Sequence, residues 1–295
     1  MEKRIAIIEI GSINTKTHVY EGEKLIHENS VTIEFKKNYK KEGKIRQTDL
    51  EQLYKVIDHA LQYTKNVHVY GCSIFRDMIK EELKTINQKL YQRFQLKIEV
   101  VSQEMEAKYT ALGCYSNHPN NGNLCILITG GGSIELLFVK QGKVLTTKYY
   151  SFGVVDINSQ FSDLIEDFPT CTFEEVYQAV EKLVGNIEEK ADVLILAGTD
   201  HLYWYHHAKY SLEKNTLYEK ENQKYMLTRK MSDLYDQNAF ITSLDEIRKR
   251  SDNPLWFDGI RALKVITNLI SHKVHAKYII PTKINMEEGL KEILK

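Results

Sequence analysis

Ile126-Leu-Ile-Thr-Gly-Gly-Gly-Ser-Ile-Glu-Leu-Leu-Phe138 decides the reading of this chain. An apolar run stops at three glycines and a serine, and a second apolar run follows: strand, tight turn, strand. Glycines let successive N–H groups turn toward one concavity, and such a nest holds phosphate. Taken alone, a glycine-rich hairpin with no ligand explains the stretch equally well. A second unit of the same kind opens the chain, Arg4-Ile-Ala-Ile-Ile-Glu-Ile-Gly-Ser-Ile-Asn-Thr-Lys-Thr-His-Val-Tyr20. Two matching hairpins roughly 120 residues apart suggest an internal duplication, with each lobe presenting a phosphate loop to a shared cleft.

The 295 residues suit two domains of ordinary size. Forty basic and forty acidic residues cancel, which argues against a general nucleic-acid binder. No apolar run reaches the ~20 residues that would span a bilayer, so no membrane partner is expected. The chain enters its first strand without a signal-peptide pattern, and its four scattered cysteines read as reduced thiols, so a cytoplasmic protein is expected. The ten histidines show no zinc spacing.

Along the chain, Lys24–Phe35 reads as a third strand and Lys36–Arg46 as a basic loop, either a plain solvated loop or a guide for a polyanion. Thr48 and Glu51 form a capping-box pattern ahead of a helix. Strands follow at Asn66–Tyr70 and Leu96–Val101, and helices at Ser73–Phe94 and Gln103–Tyr115. The composition of Ser116–Asn123 is that of a linker, which divides the chain into lobes 1–121 and 122–295. In the second lobe strands are expected near Leu124–Thr129, Ile134–Lys140, Val144–Ser151, Ala191–Ala197 and Ala276–Pro281. Helices are expected near Ile157–Glu166 and Thr172–Glu188, through much of Met226–His272, and at Met286–Lys295. Strands with crossover helices, given twice, indicate two α/β lobes. The aromatic run Tyr203-Trp-Tyr205 reads as packing, with base stacking as the alternative.

Four segments together resemble the exopolyphosphatase / guanosine pentaphosphatase (Ppx/GppA) family. They are Ala6–Tyr20, Gly71-Cys-Ser-Ile-Phe-Arg-Asp77, Val100-Val-Ser-Gln-Glu-Met-Glu-Ala107, and Ile126–Phe138 with the later Tyr150-Ser-Phe-Gly-Val-Val155. Leu196-Ala-Gly-Thr199 and Glu287-Glu-Gly-Leu290 are weaker echoes. The resemblance implies an actin-like ATPase (ribonuclease H-like) fold of two similar α/β lobes around a central cleft, in a short two-domain form. It implies release of phosphate from the end of inorganic polyphosphate or guanosine pentaphosphate, with Mg²⁺ or Mn²⁺ as cofactor. Guanosine tetraphosphate is a further ligand to expect, and a homodimer the default assembly.

Carried over residue by residue, the resemblance places the general base on Glu106 and a phosphate-contacting arginine on Arg76. The phosphate loops fall on Gly11, Ser12, Asn14, Gly131, Gly132 and Ser133, and the metal-side carboxylates on Glu9 and Glu135. Each residue has a plainer reading: Glu106 as a solvent-facing helix glutamate, Arg76 as a surface arginine, Glu135 as the polar residue of an alternating strand. Glu9 lies between apolar residues, where an unpaired carboxylate is costly, so a metal or a cationic partner is expected beside it. The sequence departs from the family pattern at Glu9 (aspartate in the family), at Ile13 (asparagine) and at Ile128 (aspartate). Isoleucine binds neither metal nor water, so a weakly active or non-catalytic sensor of polyphosphate or guanosine tetra/pentaphosphate is the alternative function. A sugar or carboxylate kinase on the same fold would need an acceptor-activating aspartate, for which the second lobe offers no convincing candidate.

Overall fold

The computed structural model of the chain describes residues 4–11, 14–33, 35–72, 74–116, 122–217 and 223–294, with the backbone alone at 36, 37 and 40. Ser12 and Ile13 of the first loop, Ser73, most of the expected linker and the side chains of Lys36, Lys37 and Lys40 lie outside the described residues. No described helix is long and apolar enough to cross a membrane.

The chain forms two compact units, 1–113 with 286–295, and 114–285. In the first, the strands β1 (Arg4–Ile10), β2 (Asn14–Glu21), β3 (Lys24–Thr32), β4 (Val67–Gly71) and β5 (Ile98–Val100) form one sheet in the order β3-β2-β1-β4-β5. The first three strands are antiparallel neighbours, while β1–β4 and β4–β5 are parallel. β1 is apolar almost throughout because both its faces are covered. Ala6, Ile8 and Ile10 pack with Leu53 and Ile57 of α2 (Gln47–Leu61) and with Ile86 and Leu90 of α4 (Lys80–Phe94). Ile5 and Ile7 face the other way, onto Met105 and Tyr109 of α5 (Gln103–Tyr115) and Met286 and Leu290 of α12 (Met286–Leu294). Alternation along the strand therefore puts Glu9 on the α5 and α12 side.

The second unit repeats the plan. Strands β6 (Asn123–Thr129), β7 (Ile134–Lys140), β8 (Lys143–Tyr150), β9 (Val193–Ala197) and β12 (Tyr278–Pro281) stand in the order β8-β7-β6-β9-β12, with the same parallel and antiparallel pairings as their counterparts. Two further strands, β10 (Glu213–Lys214) and β11 (Tyr225–Thr228), extend this sheet beyond β12. The hairpins match in register: Glu9 pairs with Lys16 in the first, and Ile128 with Glu135 in the second. The duplication expected from the two hairpins is thus a duplication of whole sheets, and the α/β class holds for both units.

Several local expectations change. The basic loop contains a helix, α1 (Phe35–Glu42), anchored by the fully buried Phe35 and by Asn38, whose Nδ2 donates to both oxygens of Asp49 at 3.2 and 3.0 Å. Thr48 does not cap α2, because that helix begins at Gln47 and Arg46 holds the cap position without a side-chain bond. The span read as one helix from Ser73 divides into α3 (Ile74–Asp77) and α4, since Ile79 is extended. Met226–Thr228, read within a helical region, belongs to strand β11, which pairs with β12. The terminal helix α12 belongs to the first unit and not to a lobe spanning 122–295. Gly289 explains its placement: a Cβ there would stand 1.8 Å from the Tyr109 carbonyl oxygen, so only glycine lets α12 lie this close to α5.

Candidate functional site

In the first unit three ligand-bearing residues meet at the C-terminal ends of parallel strands. Glu9 comes from β1, Cys72 follows β4, and Glu106 lies in the first turn of α5. Their ligand atoms all lie within 4.8 Å of one another. Arg76 of α3 donates from Nη1 to Glu106 Oε2 at 2.6 Å and to the Val101 carbonyl at 3.2 Å. The base and the arginine named from sequence are therefore hydrogen-bonded partners, with Glu9 beside them. Cys72 was not anticipated, although its position directly after a strand-ending glycine is the signal that could have found it. Burial pushes the Cys72 thiol well above its ordinary value, and the Glu106 carboxylate adds to this.

Behind Glu9 sits a residue of the weaker Glu287-Glu-Gly-Leu290 echo. Glu287, at the start of α12, is fully buried. His18 on β2 stands with Nδ1 3.3 Å from Glu287 Oε1 and Nε2 3.4 Å from Glu28 Oε1, the Nδ1 approach falling outside hydrogen-bond geometry. Burial, then the charge of Glu287, holds the Glu9 carboxyl well above the ordinary carboxylate value against the pull of Lys16. For Glu287 burial works upward too, but Lys16 and His18 outweigh it and hold this carboxylate well below its ordinary value. Of the pair, Glu9 is thus the member pushed toward its neutral form and Glu287 the member held toward its charged form. Of the two alternatives expected beside Glu9, the cationic neighbour is present in Lys16; Glu9 Oε2 is buried beside Glu287 and accepts from no donor group among the described residues. That oxygen and the Glu106 carboxylate suit a hard cation such as Mg²⁺ or Mn²⁺; the protonated Cys72 thiol does not.

The turn of the first hairpin is closed by Gly11 N donating to Asn14 O at 2.9 Å, and Asn14 Oδ1 accepts from Thr32 Oγ1 at 3.2 Å. The second unit closes its turn alike, Gly130 N to Ser133 O at 2.8 Å. There the loop rests on the N-terminus of α6 (Val154–Gln160): Val154 N donates to Gly130 O at 3.1 Å and Val155 N to Gly131 O at 2.8 Å. Gly153 carries no left-handed φ; it is glycine because a Cβ would lie 2.3 Å from Gly130 O. Its own N–H donates to Asp156 Oδ2 at 2.9 Å. With the two carbonyls engaged, the amides of Gly131, Gly132 and Ser133 donate no backbone hydrogen bond among the described residues. Exposed, unspent amides around one turn are the elements of an anion nest.

A cavity of about 230 Å³ adjoins this loop. Thr129, Gly131, Tyr203, Trp256 and Ile260 are among its lining residues, with Asp200 at the start of α8 (Asp200–His207). Thr129 Oγ1 is buried there without a partner. Of the aromatic run, Trp204 and Tyr205 are fully buried core residues, whereas Tyr203 lines the cavity, packed edge-on against Trp256. Glu135 is buried in β7 between Ile128 and Tyr149. It joins no cluster of three ligand residues among the described residues.

Comparison with known proteins bears on the fold and the family of the chain. A solved Ppx/GppA family member from Aquifex aeolicus shares 20% identity, with 99% of this chain and 98% of that one covered at a TM-score of 0.79. A second Aquifex aeolicus structure, of the type II variant of the Ppx/GppA phosphatase, shares 18% identity over 98% of both chains at 0.78. An exopolyphosphatase from Cytophaga hutchinsonii shares 15% identity over 99% of this chain and 97% of that one at 0.73. At these identities the likeness establishes a common fold. No curated protein sequence matches the chain. The model of the Ppx/GppA phosphatase family matches residues 15–248, most of the chain, and the chain therefore belongs to the Ppx/GppA phosphatase family.

Proposed function

We propose that the protein removes the terminal phosphoryl group from a phosphoanhydride, with inorganic polyphosphate and guanosine pentaphosphate as the candidate substrates. The observation that carries this reading is the Arg76–Glu106 pair beside Glu9. Phosphoryl transfer to water needs the phosphate clamped, its charge neutralised and a water aimed in line. In this reading Arg76 exchanges its bond to Glu106 for bidentate contact with phosphate oxygens. Glu106, released, orients the attacking water and takes its proton. Gly11, Ser12 and Asn14 are the phosphate-loop residues we assign in the first unit, and the amides of Gly131, Gly132 and Ser133 those we assign in the second. Glu9 is the carboxylate we assign to Mg²⁺ or Mn²⁺, with Glu135 as the candidate of the second unit. The ion, once bound, would neutralise charge developing on the phosphoryl oxygens.

The cavity beside the glycine loop bears on the choice of substrate. Its aromatic and aliphatic walls suit a nucleobase, and a linear polyphosphate has nothing to fill them. Guanosine pentaphosphate is accordingly the better candidate. The test is phosphate release from each substrate with Mg²⁺ or Mn²⁺, for the natural chain and for Trp256→Ala. Release from both, with Trp256→Ala impaired on the nucleotide alone, supports the assignment. No release from either substrate removes it.

A sensor that binds these ligands without turnover is the second reading. Ile128 favours it: this residue occupies in the second hairpin the place of Glu9 in the first and offers no oxygen. Micromolar binding without release, and release gained on Ile128→Asp, would establish the sensor.

A further inference from the structure

The geometry points to a second cation site, for a borderline divalent ion such as Zn²⁺, held by His27 and His59 on the first unit. His27 lies on β3, the edge strand, and His59 in the last turn of α2. A bulge brings them together. Val19 pairs with His27 and Tyr20 with Leu25, so Ile26 is the extra residue in the ladder. Neighbours on a regular strand face opposite sides, but a bulge turns both inward. Ile26 packs against the core that α2 helps to form, and His27 beside it meets His59.

The two Nε2 atoms stand 3.2 Å apart, and the ring centres 5.0 Å apart at 66°. A tetrahedral ion bonded to two imidazoles at ~2.0–2.1 Å holds the nitrogens about 3.3 Å and the ring centres about 5.2 Å apart. A linear N–H···N bond at the observed separation would put the centres roughly 5.5 Å apart. The rings are thus angled toward a common point. Tyr63 OH lies 3.2 Å from His27 Nδ1 and its ring stacks on His27 at 4.6 Å. A partner on the second ring nitrogen is what fixes a ligating histidine, and Tyr63 accepts the Nδ1–H when Nε2 binds metal. Imidazole nitrogens favour Zn²⁺, Cu²⁺ or Ni²⁺ over Mg²⁺. All three side chains are partly open to solvent, which gives the ion a path in. No third His, Cys, Asp or Glu completes the set among the described residues, so water fills the other positions.

The test is calorimetric titration with Zn²⁺. The proposal expects one micromolar event that persists in Cys72→Ser, which alters the other cluster. It expects the event to weaken about tenfold in Tyr63→Phe and to vanish in His27→Gln and in His59→Gln. An event unchanged by both histidine substitutions, or no event in the natural chain, overturns it and leaves the pair as a hydrogen bond. A second measurement needs no variant: Zn²⁺ should shield His27 and His59 of the natural chain from diethyl pyrocarbonate, read by mass spectrometry. Equal modification with and without Zn²⁺ also overturns the site.

Discussion

Gly153→Ala should disable the glycine loop of the second unit without touching any proposed catalytic side chain. Gly153 is extended, at φ −153°, so alanine meets no conformational penalty there and the effect is purely steric. Its Cβ would lie 2.3 Å from Gly130 O and 2.7 Å from both Gly131 C and Gly132 N, where ordinary contact begins at 3.4 Å. The loop must retreat by about 1 Å, a displacement that can cost ~10²-fold in rate when a reacting group is misplaced by as much. The retreat also stretches the bonds from Val154 N and Val155 N to the loop carbonyls. Overpacking of this kind costs ~1–3 kcal/mol of stability. Two neighbouring substitutions grade the effect. A Cβ at Gly131 meets only Val155 Cγ2 at 3.1 Å, and one at Gly132 comes no nearer than 4.0 Å to Asp156. Phosphate release and ligand affinity should therefore fall steeply in Gly153→Ala, less in Gly131→Ala and least in Gly132→Ala, with urea unfolding confirming that each variant folds. Equal activity in Gly153→Ala and the natural chain would refute the claim that α6 sets the loop.

Other predictions follow from buried contacts. Arg261 is fully buried and donates to the carbonyls of Leu164, Glu166, Asp167, Ala239 and Thr242, so Arg261→Met should cost about 3–5 kcal/mol in urea unfolding. Gly289→Ala should unseat α12 from α5, exposing the Met286 and Leu290 contacts as faster amide exchange across β1. Burial alone would lower the His18 imidazole, but Glu28 and Glu287 overcome it and raise it to about 10. A raised folded value gives stability that is complete below pH ~6.5 and is lost as pH climbs toward 10. His18→Gln should remove that slope from thermal unfolding measured between pH 6.5 and 10, and an unchanged slope would show that other groups carry it.

Strand alternation and the two glycine turns made the paired α/β units legible, because both signals are local. What the sequence hid depended on contacts far along the chain. Tyr225–Thr228 has no strand signal strong enough to stand against the helices around it until β12 pairs with it. The Lys36–Arg46 segment looks like a solvated loop until Phe35 and Asn38 are seen to be buried. The same holds for the site. Glu106 and Arg76 were named because each sits in a recognisable motif, and the structure brings the two side chains to 2.6 Å. Cys72, Glu287 and the histidine pair were not, since their significance lies in what meets them from distant elements: β1 and α5 for Cys72, β1 and β2 for Glu287, β3 and α2 for His27 and His59.

The most direct test of the proposed reaction separates turnover from binding at one residue. Phosphate release from guanosine pentaphosphate and from polyphosphate would be measured beside ligand affinity, in the natural chain and in Glu106→Gln. The account predicts release that falls by ~10²–10⁴-fold in Glu106→Gln while affinity changes little, because the base acts on water and not on the bound phosphate. Release that survives the substitution would contradict the assignment of Glu106 as the general base.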